Sequence, residues 1–379
     1  MLRFVVALPL LAACPGGAPA TRLAGGDAEA PTVVIASPDS GDLAFDRIGA
    51  VVPVDDSTVA ISLPSSRRFI FYNTAGHLTR VVGRQGSGPG ELSAVAASGV
   101  LADSLWVYDP VADRVTLFDI RTGRLVATRR AGLHLAGWPA SASVLGLLQD
   151  GSLLVEGRTS ITGLAHRTTP GIVPVARVTA DGRLLQAVGA RDLSGWAFAA
   201  KAGAGEIQGI QPFARIDWVA AASDGSGFAL VSQDEAAVTV TMFDATGATR
   251  YHRPLPLVGD LLTGARTDSA LGHLGPPFGG LADGVLAHPD RLPAVSDAIL
   301  GTDGSLWLLV DPPVLGRLGA RWAVLSPNGA SLDTVGMPTA RRLARPMAAA
   351  YWAVEMDSLD VPRVVQYPRR GSPGSVDRR

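Results

Sequence analysis

Between Gly83 and Arg130 no dozen consecutive residues are free of glycine, proline or another turn signal. The stretch opens with the loop Gly83-Arg84-Gln85-Gly86-Ser87-Gly88-Pro89-Gly90-Glu91-Leu92. It continues through three short apolar segments, Ser104–Asp109, Arg114–Asp119 and Thr122–Val126, parted by turns. Punctuation this dense excludes a long helix. Three short strands in succession make an antiparallel meander.

The pattern recurs along the chain. Ile48–Val54, Thr58–Leu63, Arg68–Tyr72 and Leu78–Val82 form a first set of four strands. In the second of these, Val59, Ile61 and Leu63 share one face, the period of two expected of a half-buried strand. A second set runs from about Gly99 to Arg129. Twenty residues separate Asp56 from Gly76 in the first set and Asp103 from Gly123 in the second; this self-similarity marks a repeat architecture. Further sets span Val144–Val188, Trp218–His252, Ser296–Val335 and Arg341–Tyr367. Asp150-Gly151, Asp224-Gly225, Asp303-Gly304 and Asn328-Gly329 supply tight turns, because these residues tolerate positive φ. The last set is one strand short. The lone strand Thr32–Ala36 supplies it, which closes the ring and removes exposed edges. Residues 32–368 are therefore expected to form an all-β, six-bladed β-propeller of four-stranded antiparallel blades, closed by an N-terminal strand.

The loop G-x-x-G-x-G-P-G-E-L at 83–92, the L-W-V-Y-D strand at 105–109 and the R-V-x-L-F-D strand at 114–119 resemble an NHL-type propeller repeat. The resemblance is sharp over this stretch and diluted elsewhere, and it implies a scaffold of six blades. Roughly 55 residues per blade exceeds the roughly 40–50 of compact propeller repeats. The excess falls in two insertions, Ser194–Phe213 and Pro254–Pro293, the latter with a short helix expected at Asp260–Leu271. Loops of this length are functional or mobile.

The N-terminus reads differently. A basic start at Arg3 precedes the apolar run Phe4–Leu11, which is far short of the roughly 20 residues of a membrane-spanning helix. Residues 1–14 have the shape of a signal peptide. Leu11-Ala12-Ala13-Cys14 resembles a bacterial lipobox, in which the cysteine is lipidated and becomes the mature N-terminus. The alternative is an ordinary secretory signal that discards Cys14. Cys14 is the sole cysteine, so no intrachain disulfide exists. Residues 15–31, rich in Gly, Ala and Pro, read as a flexible tether, and 369–379 as a disordered basic tail. The expected address is the bacterial cell envelope, lipid-anchored and extracytoplasmic. Hydrophobic content of 47%, charged content of 18% and a net charge of −1 describe a folded chain with no general attraction for nucleic acid.

No H-E-x-x-H, C-x-x-C or G-x-S-x-G motif is present, and no two of the six histidines lie three or four apart. The Gly86–Gly90 loop lacks the Gly-Lys-Ser/Thr ending and the following helix of a phosphate cradle. No cofactor, metal ligand or catalytic residue is assigned. Some propellers of this kind are calcium-dependent hydrolases or lyases using Asp, Glu and Asn at the channel mouth. Here the only asparagines, Asn73 and Asn328, lie at hairpin turns.

The connections on the face of the Gly83–Glu91 loop also include those between the second and third strands of each blade. That places Arg67, Arg68, Arg84, Asp109, Arg114, Arg158, Asp311 and Arg317 along one rim, with Trp138 and Trp196 in neighbouring segments. Arg and Trp are enriched in binding hot spots. The competing reading is that Arg is the default surface cation of a chain whose only lysine is Lys201. The expected function is a binding module for a protein, peptide or glycan; the alternative is a metal-dependent hydrolase or lyase acting in the central channel.

Overall fold

The computed structural model describes residues 30–38, 43–131, 138, 142–168, 171–202, 205–211, 213–261, 290–311, 319–338 and 341–369. The first strand, β1 (Val33–Ile35), stands apart from the six meanders that follow. Blade 1 is β2 (Val51–Pro53), β3 (Thr58–Leu63), β4 (Arg68–Asn73) and β5 (Leu78–Val82). Blade 2 is β6 (Ala97–Leu101), β7 (Ser104–Asp109), β8 (Arg114–Asp119) and β9 (Leu125–Arg130). Blade 3 is β10 (Ala142–Leu147), β11 (Leu153–Gly157), β12 (Ile172–Val178) and β13 (Leu184–Asp192), with the short helix α1 (Ile161–Ala165) between β11 and β12.

A hairpin of β14 (Ala197–Ala202) and β15 (Gly205–Ile210) precedes blade 4, which is β16 (Trp218–Ala221), β17 (Gly227–Gln233), β18 (Val238–Asp244) and β19 (Thr249–Leu255). Blade 5 is β20 (Asp297–Leu300), β21 (Leu306–Asp311), β22 (Gly319–Leu325) and β23 (Leu332–Pro338). The last blade holds β24 (Arg341–Pro346), β25 (Ala350–Met356) and β26 (Pro362–Pro368). Its fourth strand is β1, in the order β1-β26-β25-β24. The pairing is antiparallel, with Val33 opposite Gln366 and Ile35 opposite Val364. The expected six-bladed ring and its closure are thus both present.

Burial follows strand position. The second strand of each blade packs on both sides against neighbouring blades, so β3 and β7 are buried almost throughout. The fourth strand faces solvent, and β9 is exposed along nearly its whole length. Apolar clusters fill the spaces between blades. Ile35 and Val33 join Ile61, Ile70, Tyr72, Trp352 and Val364 between the last blade and the first. The closing strand is therefore part of a core as well as a sheet edge.

Turn chemistry sets the strand spacing. Asp150, Asp224 and Asp303 each accept from the N–H and hydroxyl of the serine two residues on, namely Ser152, Ser226 and Ser305. The glycine between them takes positive φ, as at Gly151 (80°), where a side chain would be strained. At the opposite end from the interblade connections, the inner strand of blade 2 meets blade 4 directly. The Val100 N–H donates to the Ser223 carbonyl at 2.7 Å. A Cβ on Gly99 would overlap that carbonyl, so only glycine permits the approach.

The insertion at 194–213 contains the β14–β15 hairpin, an element that period-two reading did not anticipate. Of the helix expected at Asp260–Leu271, the first two residues are described and are not helical, Leu261 forming an antiparallel bridge with Arg291; residues 262–271, the segments 1–14 and 15–31 apart from residues 30–31, and residues 370–379 lie outside the described residues. Among the described residues, no helix is long and apolar enough to cross a membrane.

Candidate binding face

Strands of a meander alternate in direction. The turn between second and third strands therefore lies at the same end of a blade as the connection to the next blade. Most of the residues expected on this rim are here, and they divide into two groups by what their polar atoms do.

The first group holds the loops in place. Arg67, at a left-handed φ of 56°, donates from Nε to the Ser93 carbonyl at 2.7 Å and also contacts the Pro64 carbonyl. Arg114 donates to the carbonyls of Ser87, Gly88 and Glu91 at 2.9, 3.2 and 2.7 Å. Asp109 is fully buried, and its carboxylate accepts from the backbone N–H groups of Ser93, Ala94, Val111 and Ala112 at 2.7 to 3.2 Å. These polar atoms are spent on backbone. Arg84 is exposed and pairs with Glu91 at 2.8 Å. The Glu91 carboxylate also accepts from the Gly88 N–H at 2.8 Å, so the glycine loop is filled by the protein's own anion. Arg68 opens β4 at this rim, and Trp138 packs, half-buried, against the cluster between blades 2 and 3. Asp311 ends β21; its side chain and Arg317 lie outside the described residues.

The second group forms a cleft. Arg158 and Trp196 line a hollow of 160 Å³ at the rim end of blade 3, with Glu156, Thr159, Arg191 and Leu193. Ser143 closes its inner side. Register explains the assembly. Ser143 on β10 lies opposite Glu156 on β11, and the long outer strand β13 carries Arg191 to the same end. Arg191 Nη1 lies 2.5 Å from Glu156 Oε2, and its Nε donates to the Asp217 carbonyl at 3.1 Å. Arg158 Nη2 donates to the Tyr108 hydroxyl at 3.0 Å, which donates in turn to Asp113 at 3.3 Å. Burial pushes the Tyr108 phenol up, so it remains a protonated donor. The Thr159 hydroxyl oxygen is buried with no hydrogen-bond partner among the described residues. Two guanidinium groups against one carboxylate leave this cleft positive, beside an indole.

The walls continue upward into α1 and the hairpin. Thr162 donates to Gln208 at 2.7 Å, and His166 Nε2 lies 3.0 Å from Glu206 Oε1. Ser160 caps the helix, its hydroxyl accepting from the Gly163 N–H at 2.9 Å. Trp196 packs with Leu164, Val173 and Ile216 beneath these elements.

The central channel carries a separate set of charges that sequence reading missed. Arg342 Nη2 donates to the Ile48 carbonyl at 3.3 Å, and Arg345 Nη1 to that of Leu300 at 3.2 Å. Asp297 faces Arg342 electrostatically, and Asp224 faces Arg345. Asn73 and Asn328 serve turns, accepting from Ala75 and His77 and from Ala330. Among the described residues, no group of three His, Cys, Asp or Glu side chains is placed to hold a metal ion.

No protein-family model matches the chain, and no curated protein does. Several solved structures resemble it at low identity. An exported protein of Bacteroides fragilis shares 11% identity over 90% of this chain and 97% of its own, with a TM-score of 0.48. Regucalcin, a calcium-binding protein of Agrobacterium tumefaciens, shares 12% over 85% and 90%, at 0.41. A virginiamycin B lyase of Staphylococcus aureus shares 13% over 86% and 85%, at 0.37. The six-bladed propeller itself rests on the strand pairing within each blade and on the β1–β26 closure.

Proposed function

We propose that the chain is an NHL-like, extracytoplasmic binding module, anchored to a membrane through lipid on Cys14, whose rim cleft captures an acidic segment of a protein, peptide or glycan. The observation that carries this reading is the placement of Arg158 beside Trp196 over one 160 Å³ hollow. An arginine with an aromatic wall is a common anchor in binding hot spots. The rest of the rim supports it by being rigid. Asp109, Arg67 and Arg114 fix the loops of blades 1 and 2, so the neighbouring surface is already ordered before a partner arrives.

No catalytic residue is assigned. A metal-dependent hydrolase would gather acids in the channel. There Asp297 and Asp224 each face an arginine instead, and arginine repels a cation.

An array of peptides and glycans graded in acidity tests the binding reading. Hits rich in carboxylates are expected, weakened roughly tenfold or more by Arg158→Ala or Trp196→Ala. Arg124→Ala, in the turn at the opposite end of blade 2, is expected to have no effect. Hits indifferent to both cleft substitutions would overturn the assignment. The anchor is tested separately, by loss of labelled palmitate incorporation in Cys14→Ser.

A further inference from the structure

The cleft on blade 3 offers more than positive charge. Arg158 uses Nη2 on the Tyr108 hydroxyl and Nε on the Ser143 hydroxyl, at 3.0 and 3.4 Å. Arg191 uses Nη1 on Glu156 and Nε on the Asp217 carbonyl. Nη1 of Arg158 and Nη2 of Arg191 are left as donors without a partner among the described residues. An acceptor is left over as well. Glu156 gives Oε2 to Arg191, and its Oε1 accepts from no described residue. Beside it lie two hydroxyls, the unpartnered one of Thr159 and that of Ser143, which sits opposite Glu156 across β10 and β11. Trp196 forms the apolar wall, backed by Leu164 and Ile216.

The chemistry of a fitting ligand follows from this balance. A guanidinium only donates, and a carboxylate only accepts. The side chain of an Asp or Glu residue brings acceptors alone. It would pair with the arginines but would meet the free oxygen of Glu156 with like charge, which is repulsive. An acid whose carboxylate is flanked by hydroxyls meets both demands, since a hydroxyl donates to Glu156 and also pairs with Thr159 or Ser143. The indole adds a flat apolar face with a polar edge, a surface on which the C–H side of a sugar ring can rest. A hollow of 160 Å³ admits one such residue of a longer chain, and Arg158 is exposed at its side.

We infer that the cleft selects a hexuronate residue of an acidic glycan over the acidic side chain of a peptide, and that Glu156 makes the distinction. This rests on the cleft being the binding site, as proposed above. A site built to pair a ligand hydroxyl rejects an analogue that lacks it, because its own polar group is then left unpaired.

The test is calorimetric titration of the full chain at constant ionic strength. The probes are the trisaccharides of galacturonate, glucuronate and mannuronate, a neutral galactose trisaccharide, and a triglutamate peptide blocked at both ends. The acidic probes carry equal charge, so hydroxyls and ring are what separate them. Saturable binding of at least one uronate is expected, roughly tenfold or more tighter than the peptide or the neutral sugar. Arg158→Gln is expected to weaken it roughly tenfold or more. In Glu156→Gln the amide oxygen keeps the Arg191 contact, and its NH₂ group replaces the free carboxylate oxygen. Uronate affinity is then expected to fall roughly fivefold or more, while the peptide binds at least as tightly as to wild type; a purely structural role would weaken both. Thr159→Val is expected to weaken uronate binding roughly threefold or more, and it carries the comparison if Glu156→Gln does not fold. Peptide binding as tight as that of every uronate, and dependent on Arg158, would overturn this inference and leave the binding cleft standing. Uronate binding indifferent to Arg158→Gln would contradict both. No saturable binding of any uronate would also overturn the inference.

Discussion

Ring closure through β1 is open to a quantitative test at Ile35. Its side chain is fully buried in the cluster between the last blade and the first. Ile35→Ala removes three carbons. At about 0.8 kcal/mol each they account for roughly 2.4 kcal/mol. The cavity left among Ile61, Trp352 and Val364 raises the expected loss to about 3–4 kcal/mol, inside the range measured for buried aliphatic truncations. Val34, in the same strand but 44% exposed, is the internal control. Val34→Ala is expected to cost under about 0.5 kcal/mol. Urea unfolding followed by tryptophan fluorescence reads both. A fall in midpoint for Ile35→Ala with an unchanged slope is the expected result. If Ile35→Ala costs no more than Val34→Ala, β1 does not close the ring as described.

Two further perturbations follow from buried carboxylates. Asp109→Asn turns an acceptor of four backbone N–H groups into an amide with one acceptor oxygen, at an expected cost of about 2–4 kcal/mol in the same assay. Glu355 is a pH effect. Burial alone would raise its carboxyl, but hydrogen bonds from Tyr367, Arg341 and Arg363 outweigh that and hold it below the usual range. A carboxyl depressed in the folded state stabilises above its unfolded value of about 4.3, and the contribution is lost as pH falls through the folded value. Melting temperature is expected to drop below about pH 4.3, and Glu355→Gln to flatten the decline in that window; an unaltered profile would contradict the role given to Glu355.

Local chemistry made the fold legible. The serines following Asp150-Gly151, Asp224-Gly225 and Asp303-Gly304 form the same turn in three blades. A turn of this kind is written in a few adjacent residues. The lone Thr32–Ala36 segment was readable because the last blade lacked a strand. The cleft was only half legible. Arg158 and Trp196 stand out by residue type, but Glu156 and Arg191 meet across an intervening strand, and Tyr108 reaches Arg158 from another blade. Such contacts depend on blade packing, which a single sequence does not encode locally. The five-residue α1 is too short to leave a helical period. The charges of the channel were hidden for a further reason. A bulge turns Arg345 out of the alternation that period-two reading relies on.

The most direct test of the central claim places a photo-crosslinking amino acid at Leu193, inside the cleft, and at Leu125, on the exposed outer strand of blade 2. Both full-length variants would be irradiated in intact cells. The account predicts a discrete adduct from position 193 that disappears when Arg158→Ala is added, with none of the same mass from position 125. Identical adducts from both positions, or an adduct at 193 that survives Arg158→Ala, would contradict it.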